Sequence, residues 1–148
     1  MPHYSHRQPG TMLLAACLAG AAVCLALAAI TPNGAFLALA AFVLIGTAIV
    51  FSSLTIEIDE TQLAWHFGPG LIRKSVALAD IEYAAATQVR WTGGCGIHRT
   101  ANGWLYNVAG RGAVLVRLKN TRQFLLGSDE PERLDTALRS AVERLHNP

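Results

Sequence analysis

Two uncharged apolar runs stand near the start of the chain, and they constrain its fold more than any other feature. They cover residues 11–30 and 35–54, each 20 residues long, with Thr31-Pro32-Asn33-Gly34 between them. At about 1.5 Å of rise per residue, a helix of that length spans roughly the 30 Å hydrocarbon core of a bilayer. Neither run contains a charged residue or a histidine, whereas a soluble helix needs a polar face. The pattern predicts a transmembrane hairpin over residues 11–54, preceded by a flexible tail over residues 1–10.

The distribution of basic residues predicts the orientation of this hairpin. Of the 12 Lys and Arg residues, only Arg7 precedes the first run, and the other 11 follow the second. Because basic residues favour the cytoplasmic side, we expect a multi-pass protein of the inner (plasma) membrane with both termini in the cytoplasm. A secretory signal in the first run is the alternative, but the apolar stretch exceeds the roughly 7 to 15 residues of a signal core.

The rest of the chain, residues 55–148, is long enough for one compact cytoplasmic domain. It carries 11 basic and 10 acidic residues, which is too even a balance for a nucleic-acid-binding surface. The chain has three cysteines without a CxxC pair or a histidine at ligand spacing, so the sequence predicts no zinc site. We expect neither a metal nor a cofactor.

Small residues are frequent in both apolar runs, with Gly20, Gly46 and many alanines among them. Helices in lipid associate through such side chains, because lipid tails already solvate the larger apolar ones. These residues therefore predict close packing of the two helices against each other. Self-association of the protein through the same helix faces is the alternative.

Beyond residue 54 the pattern changes to alternation, which is typical of strands. Leu54, Ile56 and Ile58 alternate with polar residues, and Leu63, Trp65 and Phe67 follow after a turn. Further alternating segments bring the expected number to about seven short antiparallel strands. The chain then ends in an amphipathic helix that follows a capping box from Asp129 to Glu132. Seven strands closed into a barrel by a C-terminal helix is the architecture of pleckstrin-homology (PH) domains.

The chain also resembles a family, the small bacterial membrane proteins in which two N-terminal helices precede a PH-like domain. The segments that carry the resemblance are Phe67-Gly68-Pro69-Gly70-Leu71-Ile72-Arg73, Leu78-Ala79-Asp80-Ile81, Gly96-Ile97, Gly103-Trp104-Leu105-Tyr106-Asn107-Val108 and Leu126-Gly127-Ser128-Asp129-Glu130-Pro131-Glu132. The central loop departs from the family pattern at Cys95, where an aromatic residue is common, and at His98, where a basic one is. The resemblance implies a fold and a membrane location, and it implies no reaction.

Five residues are candidate contacts to a lipid or a protein partner. Arg73 and Lys74 follow a Gly-Pro-Gly turn, in the place where eukaryotic PH domains often bind inositol phosphates, and two cations form a weak anion site. Trp91, Trp104 and Tyr106 favour either the core of a small barrel or the bilayer interface. A solvated strand end is the plain alternative for the cations.

Three hypotheses for function follow from these residues. The first is a membrane-anchored interaction or scaffold module without catalytic activity. The second is a sensor of anionic lipid headgroups that uses the five candidate contacts. The third is an enzyme that uses Cys95 and His98, which stand three residues apart in a glycine-rich loop; a nucleophilic cysteine needs a base placed by the fold.

Overall fold

The computed structural model describes residues 3–90 and 95–146. Two helices near the N-terminus precede a mainly β domain, and an amphipathic helix ends the chain, so this predicted order is confirmed. The helices are α1 (Thr11–Ile30), α2 (Gly34–Val50) and α3 (Pro131–His146). The strands are β1 (Tyr4–Pro9), β2 (Ser53–Ile58), β3 (Gln62–Phe67), β4 (Ile72–Ala77), β5 (Ile81–Gln88), β6 (Gly96–Thr100), β7 (Gly103–Asn107), β8 (Gly112–Leu118) and β9 (Gln123–Gly127).

The two apolar helices pack side by side, and the residues that they bury are small ones, namely Cys17, Ala21, Ala41 and Ala48. Helix α1 has the predicted bounds, but α2 ends at Val50 and not at Leu54. Its last turn closes where the Phe51 N–H donates to the Thr47 carbonyl at 3.0 Å. Leu54 is fully buried in β2, so its apolar character serves the β domain and not the second helix.

The predicted flexible tail is wrong, because residues 4–9 form strand β1. This strand pairs antiparallel with β2, from Tyr4 opposite Ile58 to Pro9 opposite Ser53. The side chain of His6 also reaches the start of α3, where its Nε2 lies 2.6 Å from Asp129 Oδ1. The helical hairpin is therefore inserted between two strands that pair with each other.

The strands form two sheets, and the predicted closed barrel of seven strands is wrong. The first sheet has the order β1-β2-β3-β4, and the second has the order β5-β8-β9-β7-β6. Strands β7 and β9 pair in parallel, with Leu105 opposite Leu125. This parallel pair lies within the second sheet. The two sheets are separate because, in the described residues, β4 and β5 do not pair with each other, and the alternation of the sequence does not reveal this break.

The core lies between the two sheets and is covered at one side by α3. Phe67, Trp65, Tyr106 and Phe124 form an aromatic group in this core, with the Trp65 and Phe124 rings stacked at 4.9 Å. Helix α3 packs on β5, on β8 and on a short 3-10 turn at Leu78–Asp80. The apolar face of α3 thus completes the core, as its spacing predicts.

Candidate functional site

The most distinctive place in the structure is the junction where the hairpin meets the first sheet. Only Gly10 stands between β1 and α1, and its N–H donates to the Ser52 carbonyl at 2.8 Å. The turn between β3 and β4 lies against the end of α2, because a Cβ on Gly68 would stand 2.5 Å from the Ile49 carbonyl oxygen; the Gly68 N–H also donates to the carbonyl of Ser53, the first residue of β2, at 2.8 Å. Gly68 adopts a φ of +48°, which glycine tolerates best. Short connections and close backbone packing therefore join the hairpin directly to the sheet.

Four residues form a row across the first sheet, next to this junction. Arg7 on β1 stands opposite Thr55 on β2, Thr55 opposite His66 on β3, and His66 opposite Arg73 on β4. Residues opposite one another on neighbouring strands point to the same face of the sheet. We call Arg7, Thr55, His66 and Arg73 the junction row. It places two arginines on one face, at the end of the sheet that carries the helices.

The junction row borders two depressions in the surface, and His66 lines both. One has a volume of about 430 Å³, and its walls include Arg7, Thr55 and Ile49. The other has a volume of about 340 Å³, and its walls include Arg73 and Glu57. Arg73 Nη2 and His66 Nδ1 both lie within 4 Å of the point where a Cβ on Gly70 would stand. The absence of a side chain at Gly70 thus leaves room for these two groups to approach one another.

Three polar groups of the junction row, the two guanidinium groups and His66 Nδ1, have no charged or hydrogen-bonding partner among the described residues. Within residues 3–90 and 95–146, neither arginine has a carboxylate oxygen within 4.0 Å. His66 Nδ1 is buried, and no hydrogen-bond partner for it occurs among the described residues. A buried polar atom without a partner is costly. The row can therefore gain from a ligand that supplies hydrogen-bonding oxygens.

Two carboxylates lie near the row, on its side away from the helices, and they line the smaller depression. Asp59 is engaged in its own turn, where its Oδ1 accepts hydrogen bonds from the Thr61 and Gln62 N–H groups at 2.8 and 2.7 Å. These bonds lower the pKa of Asp59. Glu57 stands two residues after Thr55 on β2, where it pairs in register with Ser5 and Ala64. It therefore lies on the same face as the junction row, farther from the helices. Anion binding is accordingly most favourable on the helix side of His66.

The two predicted cations, Arg73 and Lys74, do not act together in the structure. Arg73 stands opposite His66, whereas Lys74 stands opposite the buried Trp65. Because successive strand residues point to opposite faces, the adjacent pair is divided between the two faces of the sheet. His66 is the neighbour of Arg73 on this face, and Arg7 lies at the other end of the same row; the sequence pattern indicated neither of them as a site residue.

The predicted aromatic contacts occupy three different situations. Tyr106 is 6% exposed and packs on Trp65, with ring centroids 5.3 Å apart, and burial raises its pKa; a side chain in the core does not fit a surface contact. Trp104 is 48% exposed and stands at the start of β7. The hairpin lies towards the other end of this strand, because Gln8, next to the hairpin on β1, donates a 2.8 Å hydrogen bond to the carbonyl of Ala109, which follows β7. Trp91 lies outside the described residues.

Cys95 and His98 stand at one edge of the second sheet. Cys95 is exposed immediately before β6, and His98 pairs in register with Leu105. Desolvation raises the pKa of the Cys95 thiol, which is opposite to the shift that a nucleophilic cysteine needs. In residues 3–90 and 95–146, no cluster of three or more His, Cys, Asp or Glu side chains could hold a metal ion.

Comparison with known proteins yields no relative from which a function could be transferred. No protein-family model matches the chain, and no curated protein has a matching sequence.

Proposed function

We propose that this chain is a membrane-anchored interaction or scaffold module without catalytic activity, in which a helical hairpin holds a PH-like domain at the cytoplasmic face of the inner membrane. The observation that carries the proposal is the continuity between β1 and α1 through Gly10. A long flexible linker would let the domain move away from the bilayer. A single residue between strand and helix instead keeps the first sheet at the membrane surface.

The surface of the hairpin supports membrane insertion. By length and composition, Thr11–Ile30 could cross a membrane, and Gly34–Val50 is a shorter apolar helix of 17 residues. The large side chains that point outward from both are apolar and exposed, among them Ile30 at 79%, Phe36 at 76% and Phe42 at 74%. Such a surface is unfavourable in water and is solvated well by lipid tails.

The packing between α1 and α2 helps to decide whether the hairpin serves as a membrane anchor or as a surface for self-association. The small residues buried between α1 and α2 already pack against each other within one chain, so they are not available for contact with a second copy. Self-association would have to use the outward small residues, such as Ala15 and Ala22, which are exposed. The anchor function needs no such contact. We therefore assign the hairpin first to anchoring, and we propose a lipid surface or a protein partner as the target of the β domain.

The proposal is tested by cysteine labelling in intact cells. In a chain whose three native cysteines are replaced by alanine, Asn33→Cys is expected to react with a membrane-impermeant maleimide added outside the inner membrane, because the loop between α1 and α2 carries no basic residue. Asn147→Cys is expected to react only after the cells are permeabilised. Labelling of Asn147→Cys in intact cells would reverse the orientation. Release of the chain by alkaline carbonate would contradict insertion altogether.

A further inference from the structure

We propose that the junction row binds the phosphate group of an anionic membrane lipid. In this assignment Arg7 and Arg73 supply the positive charge, and Thr55 and His66 supply hydrogen-bonding groups between them. The inference rests on the proposed anchoring in a membrane, since the hairpin is what brings the row to the lipid headgroups. It differs from the predicted pair of Arg73 and Lys74 in its residues and in its position on the sheet.

The height of the row above the membrane fits a headgroup. Pro9 and Ser53 pair next to the helix ends, and Arg7 and Thr55 pair two residues farther along the same strands. At about 3.3 Å per residue, the row stands about 7 Å beyond that level. The headgroup layer adds roughly 5 to 7 Å to each side of the hydrocarbon core. The arginine side chains therefore reach the level at which lipid phosphates lie.

The turn between β3 and β4 gives a second, independent indication that lipid surrounds the row. Leu71 in this turn is 72% exposed, and the same turn packs on the carbonyls of Ile49 and Val50 at the end of α2. A large apolar side chain at that level is favourable within the upper part of a bilayer and unfavourable in water. The larger depression of the junction row opens beside this turn, with Ile49 and Pro69 in its wall.

The chemistry of the row suits a phosphate oxygen. Guanidinium groups bind phosphate through paired, charge-assisted hydrogen bonds, and both arginines are exposed and have no carboxylate within 4.0 Å in the described part of the chain. His66 Nδ1 has no partner there either, and it lies, like Arg73 Nη2, within 4 Å of the point where a Cβ on Gly70 would stand. A phosphate on the helix side of His66 would lie between the two arginines and away from Glu57.

Native mass spectrometry of the full chain in neutral detergent tests this site. The probe is an equimolar mixture of phosphatidylglycerol and phosphatidylcholine, which share their acyl chains and differ in net charge. Wild type is expected to retain phosphatidylglycerol preferentially. Arg7→Gln and Arg73→Gln are each expected to reduce that preference about fivefold, and the double variant by tenfold or more.

Lys74→Gln is the matched control, because Lys74 is exposed, adjacent to Arg73 and on the opposite face of the sheet. It is expected to change the preference by less than about twofold. Equal losses for Arg73→Gln and Lys74→Gln would mean general attraction to charge and would overturn the site. The double variant Arg7→Lys, Arg73→Lys keeps the positive charge. It is expected to retain only part of the preference for phosphatidylglycerol, because lysine lacks the paired hydrogen-bond donors of a guanidinium group.

Two further results separate the possible failures. If inorganic phosphate or glycerol 3-phosphate displaces the lipid at millimolar concentration, the site takes a free phosphate, and the assignment to lipid is wrong. If wild type shows no preference for phosphatidylglycerol yet resists alkaline carbonate extraction, the headgroup site is wrong while the membrane anchor stands. Release by carbonate would overturn both.

Discussion

Leu138→Ala is expected to lower the free energy of unfolding of the full chain by about 2 to 5 kcal/mol. Leu138 is fully buried on the face of α3 that packs on β5 and on the turn at Leu78–Asp80. Truncation removes apolar contacts and leaves a cavity between helix and sheets that the backbone fills only partly. The measurement is the denaturation midpoint of the β domain in detergent micelles, followed by near-ultraviolet circular dichroism of its tryptophans.

Leu145→Ala is the control for this prediction, because it is the same substitution on the same helix at a position that is 41% exposed. It is expected to change stability by about 0.5 kcal/mol or less. A midpoint shift no larger for Leu138→Ala than for Leu145→Ala would mean that α3 does not complete the core. The full chain is needed for both, since a fragment starting at residue 55 would lack β1 and the first residues of β2.

Gly68→Ala is expected to cost about 2 to 4 kcal/mol. A Cβ at this position would stand 2.5 Å from the Ile49 carbonyl oxygen and 2.7 Å from that of Val50. Both are backbone atoms at the end of α2, so the turn or the helix must shift, which typically costs 1 to 3 kcal/mol. The left-handed φ of +48° adds about 1 kcal/mol for any residue with a side chain.

Gly46→Ala is the matched control for the junction, because a Cβ there would meet no atom within 4 Å. It is expected to be neutral or slightly stabilising, since alanine favours helix more than glycine does. Thermal unfolding of both variants in micelles measures the difference. If Gly68→Ala matches Gly46→Ala, the turn does not pack tightly on the hairpin, and the direct attachment of sheet to helices is contradicted.

The sequence was most informative where a residue's role depends on near neighbours. The uncharged run of residues 11–30 has the bounds of α1, because length and lack of charge are local properties. The apolar residues that alternate along β2 and β3 are all buried, since a strand with one face on the core places every second residue there. The predicted end of α2 was wrong, because apolar residues such as Phe51 and Leu54 fit equally well in a membrane helix and in a core strand.

What the sequence did not show depends on partners distant along the chain. Strand β1 is polar and ends in Pro9, so no local signal identifies it; its pairing with β2 and the contact of His6 with Asp129 arise across the hairpin. Asp129 is not the predicted N-cap, and its Oδ1 lies against His6 Nε2 instead. Helix α3 starts at Pro131, and it is Ser128 Oγ that accepts the Glu130 N–H at 3.0 Å.

The candidate site likewise combines a feature that the local sequence indicates with one that depends on distant parts of the chain. Alternation alone separates Arg73 from Lys74 once β4 is assigned, and this signal was present in the sequence. The assembly of Arg7, Thr55, His66 and Arg73 requires the register of four strands, which depends on strand order. A row that combines a residue before the hairpin with three residues after it can be recognised only in the folded chain.

The central claim is that the hairpin end of the β domain rests on the bilayer, and spin-label depth measurements test it most directly. In a chain without native cysteines, nitroxides are placed at Leu71, beside the hairpin, and at Asn120, in the turn after β8. In liposomes, the label at Leu71 is expected to be relaxed by oxygen and protected from a water-soluble nickel chelate, while the label at Asn120 behaves oppositely. Equal accessibility of both labels to the nickel chelate would contradict the account.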